Sequence, residues 1–418
     1  MRILVEPSDY VLRNAGDMAM LEAAVTRLAD LWPDGTVDVL TDTPASFPRY
    51  RPNVRPIGSA GHHAYVDAAG SRPHLSRLGT RVPGVRRAWR NALVAWRCPA
   101  SARARAQEFL RAVGDADVVV VTGMGGITDA FPEYAQGVLA TLDVAAGLGP
   151  VTAMFSQGMG PLERRDLIAY ARAVLPRVDL IALREQRTGM PLLQRLGVRA
   201  EHVVTTGDDA IEMAYHRRLP ALGDTLGINL RAAEYAGIGD ELVAEVRSGL
   251  QAFAKRRGIR LVPVPISYAT GEEDHRTIRS LLAGWDHASD GGAGLVGPEA
   301  VIAQIGRCRA VVTGSYHAGV FALGAGVPVV ALARTLYYVD KFLGLADQFG
   351  AGCEVVTLDG GGIRQRLGAA LDHVWDRAET LRPGLLRAAQ RQIEQGAAAY
   401  RRLHQLVASR GATEGRRG

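Results

Sequence analysis

Residues Val311 to Phe342 read VVTGSYHAGVFALGAGVPVVALARTLYYVDKF, and the punctuation of this stretch decides the fold class. Ala310 to Thr313 is a short apolar run that predicts a buried strand ending in Thr-Gly-Ser. Tyr316 to Gly324 predicts a helix with His317 in its first turn. Gly-Val-Pro then breaks that helix, and Val329 to Leu332 predicts a second strand of the parallel-sheet type. No charged residue lies between Arg309 and Arg334, so the run imitates a membrane span. The Gly, Pro, Ser and His within it favour two strands around a helix instead. A strand, a tight turn and a helix start put His317 at the carboxyl edge of a sheet. Backbone N–H groups and the positive end of a helix dipole gather there, as an anion-binding site requires. Tyr337, Tyr338 and Lys341 are spaced to return to the same mouth.

Outward from this stretch, strand and helix signals alternate along the chain. Strands are expected at Ile3–Glu6, Thr36–Leu40, Asp117–Thr122, Val151–Phe155, Leu180–Leu183 and Val203–Thr206. After a polar stretch, Tyr215 to Thr225, taken as the domain boundary, strands follow at Leu226–Leu230, Ile259–Pro265 and Glu354–Leu358. Helices are expected over Met18–Leu31 with Asp17 as N-cap, Asp166–Val174, Asp240–Arg257, Glu272–Ala283 and Pro298–Cys308. Gly291 to Gly297 reads as a loop with a short strand. Two further helices, Ile363–Val374 and Leu385–Ala408, are expected to cover the second sheet, the last crossing back onto the first domain. The expected architecture is therefore α/β, with two Rossmann-like doubly wound domains over residues 1–217 and 218–418 facing a cleft.

The totals agree with a chain of this class. Its 418 residues are too many for one compact core, 47% are apolar, and the 48 glycines suit frequent strand-to-helix turns. Cys98, Cys308 and Cys353 are isolated, which suggests neither a zinc site nor a disulfide framework. The N-terminus opens directly on a strand without the apolar core of a signal peptide, so the cytoplasm is the expected compartment. The net charge of +6 is nearly all arginine, with lysine only at 255 and 341. No cofactor, metal or nucleic-acid partner is expected. From Ala68 to Gln107 there is no acidic residue and there are nine arginines, with Trp89 and Trp96 among them. One reading is a basic surface that meets an anionic acceptor or, as a peripheral membrane contact, lipid headgroups. The other is a solvated pair of arginine-rich helices, which the lack of a long amphipathic repeat favours.

Ser-Tyr-His before a small-apolar helix, Gly-Val-Pro-Val and a later Tyr-x-x-x-Lys resemble the C-terminal signature of the polysaccharide pyruvyl transferase family. Asn14-Ala15-Gly16-Asp17 before a helix, the loop Gly123-Met124-Gly125-Gly126 after a strand, Arg184-Glu185 and Gly207-Asp208-Asp209 resemble the family's other motifs. The resemblance implies a GT-B-like fold and transfer of a pyruvyl group from phosphoenolpyruvate to hydroxyls of a saccharide or lipid-linked saccharide. The N-terminal domain would be the acceptor side and the C-terminal one the donor side. It further implies that His317 is the acid/base or a donor to the departing phosphate. Asn14, Gly16, Asp17, Gly123, Gly125, Gly126, Asp208, Ser315 and Tyr316 would touch substrate, and Arg184, Arg231 and Lys341 would clamp anions.

One departure matters. Many family members carry Arg-x-His where this chain has Ser315-Tyr316-His317. Losing one charge-assisted bond to phosphate costs on the order of 1.5–3 kcal/mol unless another group replaces it. Either another arginine substitutes, or the donor differs. The alternatives are thus a GT-B-like glycosyltransferase using a nucleotide sugar, or a family member that binds a glycan without turnover.

Overall fold

The computed structural model describes residues 1–70, 99–232, 236–286 and 288–414. By contact the chain forms two compact units: Met1–Val11 with Ala24–Thr206 and Gly396–Gly418, and Leu12–Ala23 with Gly207–Gln395.

The first unit is built on seven parallel strands. In chain order the elements are β1 (Arg2–Glu6), α1 (Ala15–Leu31, its second half in this unit), β2 (Thr36–Thr41), β3 (Val54–Gly58), α2 (Ala60–Gly70) and α3 (Ala100–Gly114). Next come β4 (Val118–Val121), α4 (Pro132–Leu148), β5 (Val151–Gln157), α5 (Arg165–Val174), β6 (Leu180–Leu183), α6 (Gly189–Leu196) and β7 (Val203–Thr205). The sheet order is β3-β2-β1-β4-β5-β6-β7. It reverses direction between β1 and β4, the Rossmann arrangement. All four valines of β4 are buried, so helices must cover both faces of the sheet. Tyr400 stacks on Phe155 with centroids 3.8 Å apart, which ties the segment after residue 396 into this core.

The second unit continues with α7 (Ala210–His216), β8 (Thr225–Ile228), α8 (Asp240–Arg257), β9 (Leu261–Pro263), α9 (Asp274–Leu282) and α10 (Pro298–Ile305). It ends with β10 (Cys308–Thr313), α11 (Tyr316–Gly324), β11 (Val329–Ala333), α12 (Leu336–Phe349), β12 (Cys353–Thr357) and α13 (Ile363–Glu414, in this unit as far as Gln395). Its five parallel strands run β12-β11-β10-β8-β9. That is the flavodoxin-like order read from the other edge, with its switch point between β8 and β10. All nine residues of α11 are buried. Gly324 lets α11 approach α7, since a Cβ there would stand 3.2 Å from the Ile211 carbonyl and 3.3 Å from Ala214 Cβ. That packing draws α7 into the second unit, so the change of unit falls at Thr206–Gly207, ahead of the Tyr215–Thr225 stretch.

Several expectations need correction. The two C-terminal helices are one, because the helix runs through Pro383 rather than stopping there. Gly291 to Gly297 holds no strand: Gly291, Gly292 and Gly297 have φ near +73°, +85° and +83°, the left-handed backbone that turns require. Most of the arginine-rich interval, from Arg72 through Arg97 with Trp89 and Trp96, and Cys98 beyond it, lie outside the described residues.

Candidate functional site

The switch point of the second sheet is where its polar side chains collect. Asn229 and Arg231 follow β8, and Thr313, Ser315 and His317 follow β10. The two strand ends are laced together. Asn229 N–H donates to the Val312 carbonyl (2.9 Å), and Gly314 N–H donates to the Asn229 carbonyl (3.2 Å). The Thr313 hydroxyl accepts from Ser315 N–H at 2.8 Å and lies 3.2 Å from Asn229 Oδ1. This fixes the extended backbone of Ser315 (φ −101°, ψ 125°) from which α11 starts, with His317 in its first turn.

His317 is buried, and its Nε2 lies 3.6 Å from Asp208 Oδ2, with no hydrogen-bond partner. Asp208 Oδ1 accepts from Ala210 N–H at 3.0 Å at the start of α7. On the other side the ring rests against Gly16. A Cβ on Gly16 would fall 1.9 Å from His317 Cγ and 2.0 Å from Nδ1, so only glycine fits. Asn14 Oδ1 accepts from Gly16 N–H (2.9 Å) and Asp17 N–H (3.3 Å). The cap of α1 is therefore Asn14 and not Asp17, because the helix begins three residues before the position expected. His317 thus stands in the first turn of α11 with the start of α1 against its ring, a place where backbone N–H groups and helix dipoles favour an anion.

Arg231 is buried beside this turn. Its Nε is 2.8 Å from Asp274 Oδ1, one NH2 is 3.2 Å from Asp274 Oδ2, and the same NH2 is 3.4 Å from Ser315 Oγ. Asp274 also accepts from Asn229 Nδ2 (2.9 Å), Ile266 N–H (2.8 Å) and Ser267 N–H (3.0 Å). The Ile266–Ser267 segment bridges to Asn14, and Ala15 N–H donates to the Ile266 carbonyl at 2.9 Å. A single carboxylate therefore holds Arg231, the end of β8 and, through Ile266, the Asn14–Gly16 turn. Asp274 and Asn229 were not singled out by the sequence. An Asn inside the apolar run Leu226 to Leu230 was the available signal.

Lys341 lies on α12, where Nζ donates to Tyr337 Oη at 2.5 Å. It also stands 5.5 Å from the ring centroid of Tyr316, 4.2 Å from that of Tyr337 and 5.7 Å from that of Tyr338. Tyr316 in turn packs edge-on against His317, centroids 5.4 Å apart. Of the sequence-selected residues, the second unit brings Asn14, Gly16, Asp208, Tyr316 and His317 together, with Arg231 and Ser315 at the adjoining strand end.

Gly123, Gly125, Gly126 and Arg184 belong to the first unit, and the space beside Gly123 and Gly126 is occupied by their own chain. A Cβ on Gly123 would meet the Ser156 carbonyl at 2.4 Å, and one on Gly126 the Tyr134 ring at 2.2 Å. Arg184 is buried with its guanidinium against the backbone of Gly158.

Among solved structures the chain is similar to UDP-GlcNAc 2-epimerase from Methanocaldococcus jannaschii (11% identity, 94% of this chain and 99% of that one, TM-score 0.55). It is likewise similar to UDP-GlcNAc 2-epimerase from Neisseria meningitidis bound to UDP-GlcNAc (12%, 98% and 100%, 0.55). A third is UDP-glucose:anthocyanidin 3-O-glucosyltransferase in complex with UDP (12%, 98% and 99%, 0.55). These likenesses establish two Rossmann-like domains of the GT-B kind. No curated protein matches the chain. The polysaccharide pyruvyl transferase model matches residues 14–335, from Asn14 through the His317 turn, with Lys341 beyond it. With well over half its length matched, the chain belongs to the polysaccharide pyruvyl transferase family.

Proposed function

We propose that this transferase moves a pyruvyl group from phosphoenolpyruvate to the hydroxyls of a saccharide acceptor in polysaccharide biosynthesis. The observation that carries the reading is the surroundings of His317: a buried imidazole at a sheet switch point, its Nε2 without a hydrogen-bond partner, against the start of α1. Ketal formation delivers a proton to the methylene carbon of the enolpyruvate. The central carbon becomes electrophilic, two acceptor hydroxyls add in turn, and phosphate departs. His317 supplies the proton or donates to the leaving phosphate. Asp208, across from Nε2, forms a charge pair with the ring whenever it is protonated.

The missing arginine at position 315 has a local answer. Arg231 reaches Ser315 Oγ from the neighbouring strand, so a guanidinium stands beside the position where relatives carry their own. Its charge is shared with Asp274. Lys341 and the N–H groups at the starts of α1 and α11, all in the second unit, are assigned the rest of the donor's anionic groups, and Arg184 of the first unit is assigned as an anion-binding arginine by its match to the family motif alone. We assign the acceptor to the N-terminal domain and the donor to the C-terminal one. We assign the reaction to the cytoplasm, with a saccharide or lipid-linked saccharide as the acceptor. No helix among the described residues is long and apolar enough to cross a membrane.

Calorimetry on the full chain tests the donor. Phosphoenolpyruvate is expected to bind, and His317→Asn to lower turnover by roughly 10²-fold or more with little change in melting temperature. Two of the structurally similar proteins hold UDP or UDP-GlcNAc. Micromolar binding of UDP, with none of phosphoenolpyruvate up to about millimolar concentration, would replace pyruvyl transfer by glycosyl transfer.

A further inference from the structure

The first unit holds a group of titratable side chains that takes no part in the chemistry assigned to His317. Glu6 ends β1, beside the switch point of the seven-stranded sheet, and is fully buried. Tyr10 donates its phenol to Glu6 Oε1 at 2.7 Å, and His62 of α2 places Nε2 3.5 Å from the same oxygen and Nδ1 3.4 Å from Tyr10 Oη. Glu6 Oε2 and His62 Nε2 have no hydrogen-bond partner. In front of this buried set lie Asp42, at the carboxyl end of β2, and His63 of α2. Their side chains are 37% and 43% exposed, with His63 Nε2 2.8 Å from Asp42 Oδ1. The Ser59 hydroxyl donates to that same oxygen. The Tyr10 ring stands edge-on to His63, centroids 5.1 Å apart, and tilted against His62 at 5.5 Å.

Each part of the arrangement selects for a hydroxyl-bearing neutral ligand. All contacts to Asp42 use Oδ1, which leaves Oδ2 to accept, and His63 keeps Nδ1 for the same purpose. Burial works to raise the Asp42 carboxyl, but hydrogen bonds from Ser59 and His63 outweigh it and hold it below its ordinary value. It is therefore an ionised acceptor. Among the described residues no arginine or lysine pairs with Glu6 or Asp42. The ionised Asp42 disfavours an anionic ligand, which separates this edge from the donor chemistry placed on the second unit. A parallel sheet presents ligands at the carboxyl ends of its strands, and Tyr10 and Asp42 follow β1 and β2, which are neighbours in the sheet. A surface with two neighbouring acceptors beside an aromatic ring suits adjacent hydroxyls on a sugar ring.

We propose that Tyr10, Asp42 and His63 bind a neutral saccharide through two neighbouring hydroxyls, which donate to Asp42 Oδ2 and His63 Nδ1. The buried pair Glu6 and His62 holds the Tyr10 ring that walls the site. The assignment rests on the acceptor being a saccharide, and the test separates the two readings.

Saturation-transfer NMR on the full chain, with methyl α-D-glucopyranoside, methyl β-D-galactopyranoside and methyl α-D-mannopyranoside as probes at about 10 mM, reads binding directly. At least one probe is expected to bind. Asp42→Asn and His63→Ala should each weaken it about tenfold or more. His63→Gln serves where the alanine variant does not fold. The site is overturned if no pyranoside binds, or if the Asp42 and His63 variants bind as the parent does. Phosphoenolpyruvate titrated into the same samples keeps the readings apart. Donor binding without pyranoside binding sinks this site alone, and pyranoside binding that depends on His63 without donor binding sinks the donor reading alone.

Discussion

Two turns in this protein look alike in sequence and differ in what fills them. Thr313-Gly314-Ser315 follows β10 and Gly123-Met124-Gly125-Gly126 follows β4, each at the switch point of a parallel sheet. In the first unit the room left by the missing side chains is taken by Ser156 and Tyr134. In the second, the Arg231 backbone and Leu230 close on Gly314, and the His317 ring that follows the turn, its Nε2 without a hydrogen bond, takes the room left at Gly16 in the first turn of α1. A glycine after a strand marks a close approach, and only the identity of the approaching group tells packing from chemistry.

Four measurements break or sharpen that contrast. The largest effect is expected from Asp274→Ala, which strands the Arg231 charge in a buried site and frees the Ile266 and Ser267 N–H groups. Urea unfolding should show a loss of about 3–5 kcal/mol; unchanged stability would remove Asp274 as the tie between the strand ends. Gly16→Ala forces the His317 ring aside, and turnover should fall roughly 10²-fold with the melting temperature nearly kept. Equal activity in that variant would return Gly16 to a packing role.

The converse holds for Gly123→Ala. It meets a backbone carbonyl rather than the His317 ring, so about 1–3 kcal/mol of stability should go while phosphoenolpyruvate affinity stays. Loss of affinity without loss of stability would make the glycine loop a ligand site after all. The smallest effect concerns Cys308, whose thiol burial pushes up to about 12. At pH 8 the thiolate is on the order of one part in 10⁴, and iodoacetamide should leave Cys308 unmodified in the folded protein by peptide mapping.

The fold was legible where burial leaves no choice of residue. The four valines of β4 and the run Tyr316 to Gly324 have both faces or all sides covered, and the strand and helix appear where the apolar pattern put them. The C-terminal helices were misread because Pro383 is a local stop signal that the surrounding helix overrides. Part of the candidate site was legible too, in that His317, Gly16, Asn14 and Asp208 lie together. Their geometric partners were not. Asp274 lies 43 residues from Arg231 in sequence, and no local pattern reports a bond across that interval. Asp17 reads as a cap because an acid before a helix is the usual signal, whereas Asn14, three residues earlier, accepts the Gly16 and Asp17 N–H groups.

The long helix α13 carries a consequence for how the protein is made. Tyr400, which stacks on Phe155, and Arg410, whose guanidinium lies 3.1 Å from Asp179, belong to the unit that residues 1–11 begin. A ribosome has therefore to deliver all of Gly207–Gln395 before the earlier unit receives its last aromatic partner. Translation order and completion order run opposite to each other, so Phe155 waits uncovered through the synthesis of the second unit. A nascent chain stalled before residue 396 would present that face to chaperones, however well its later strands had already paired.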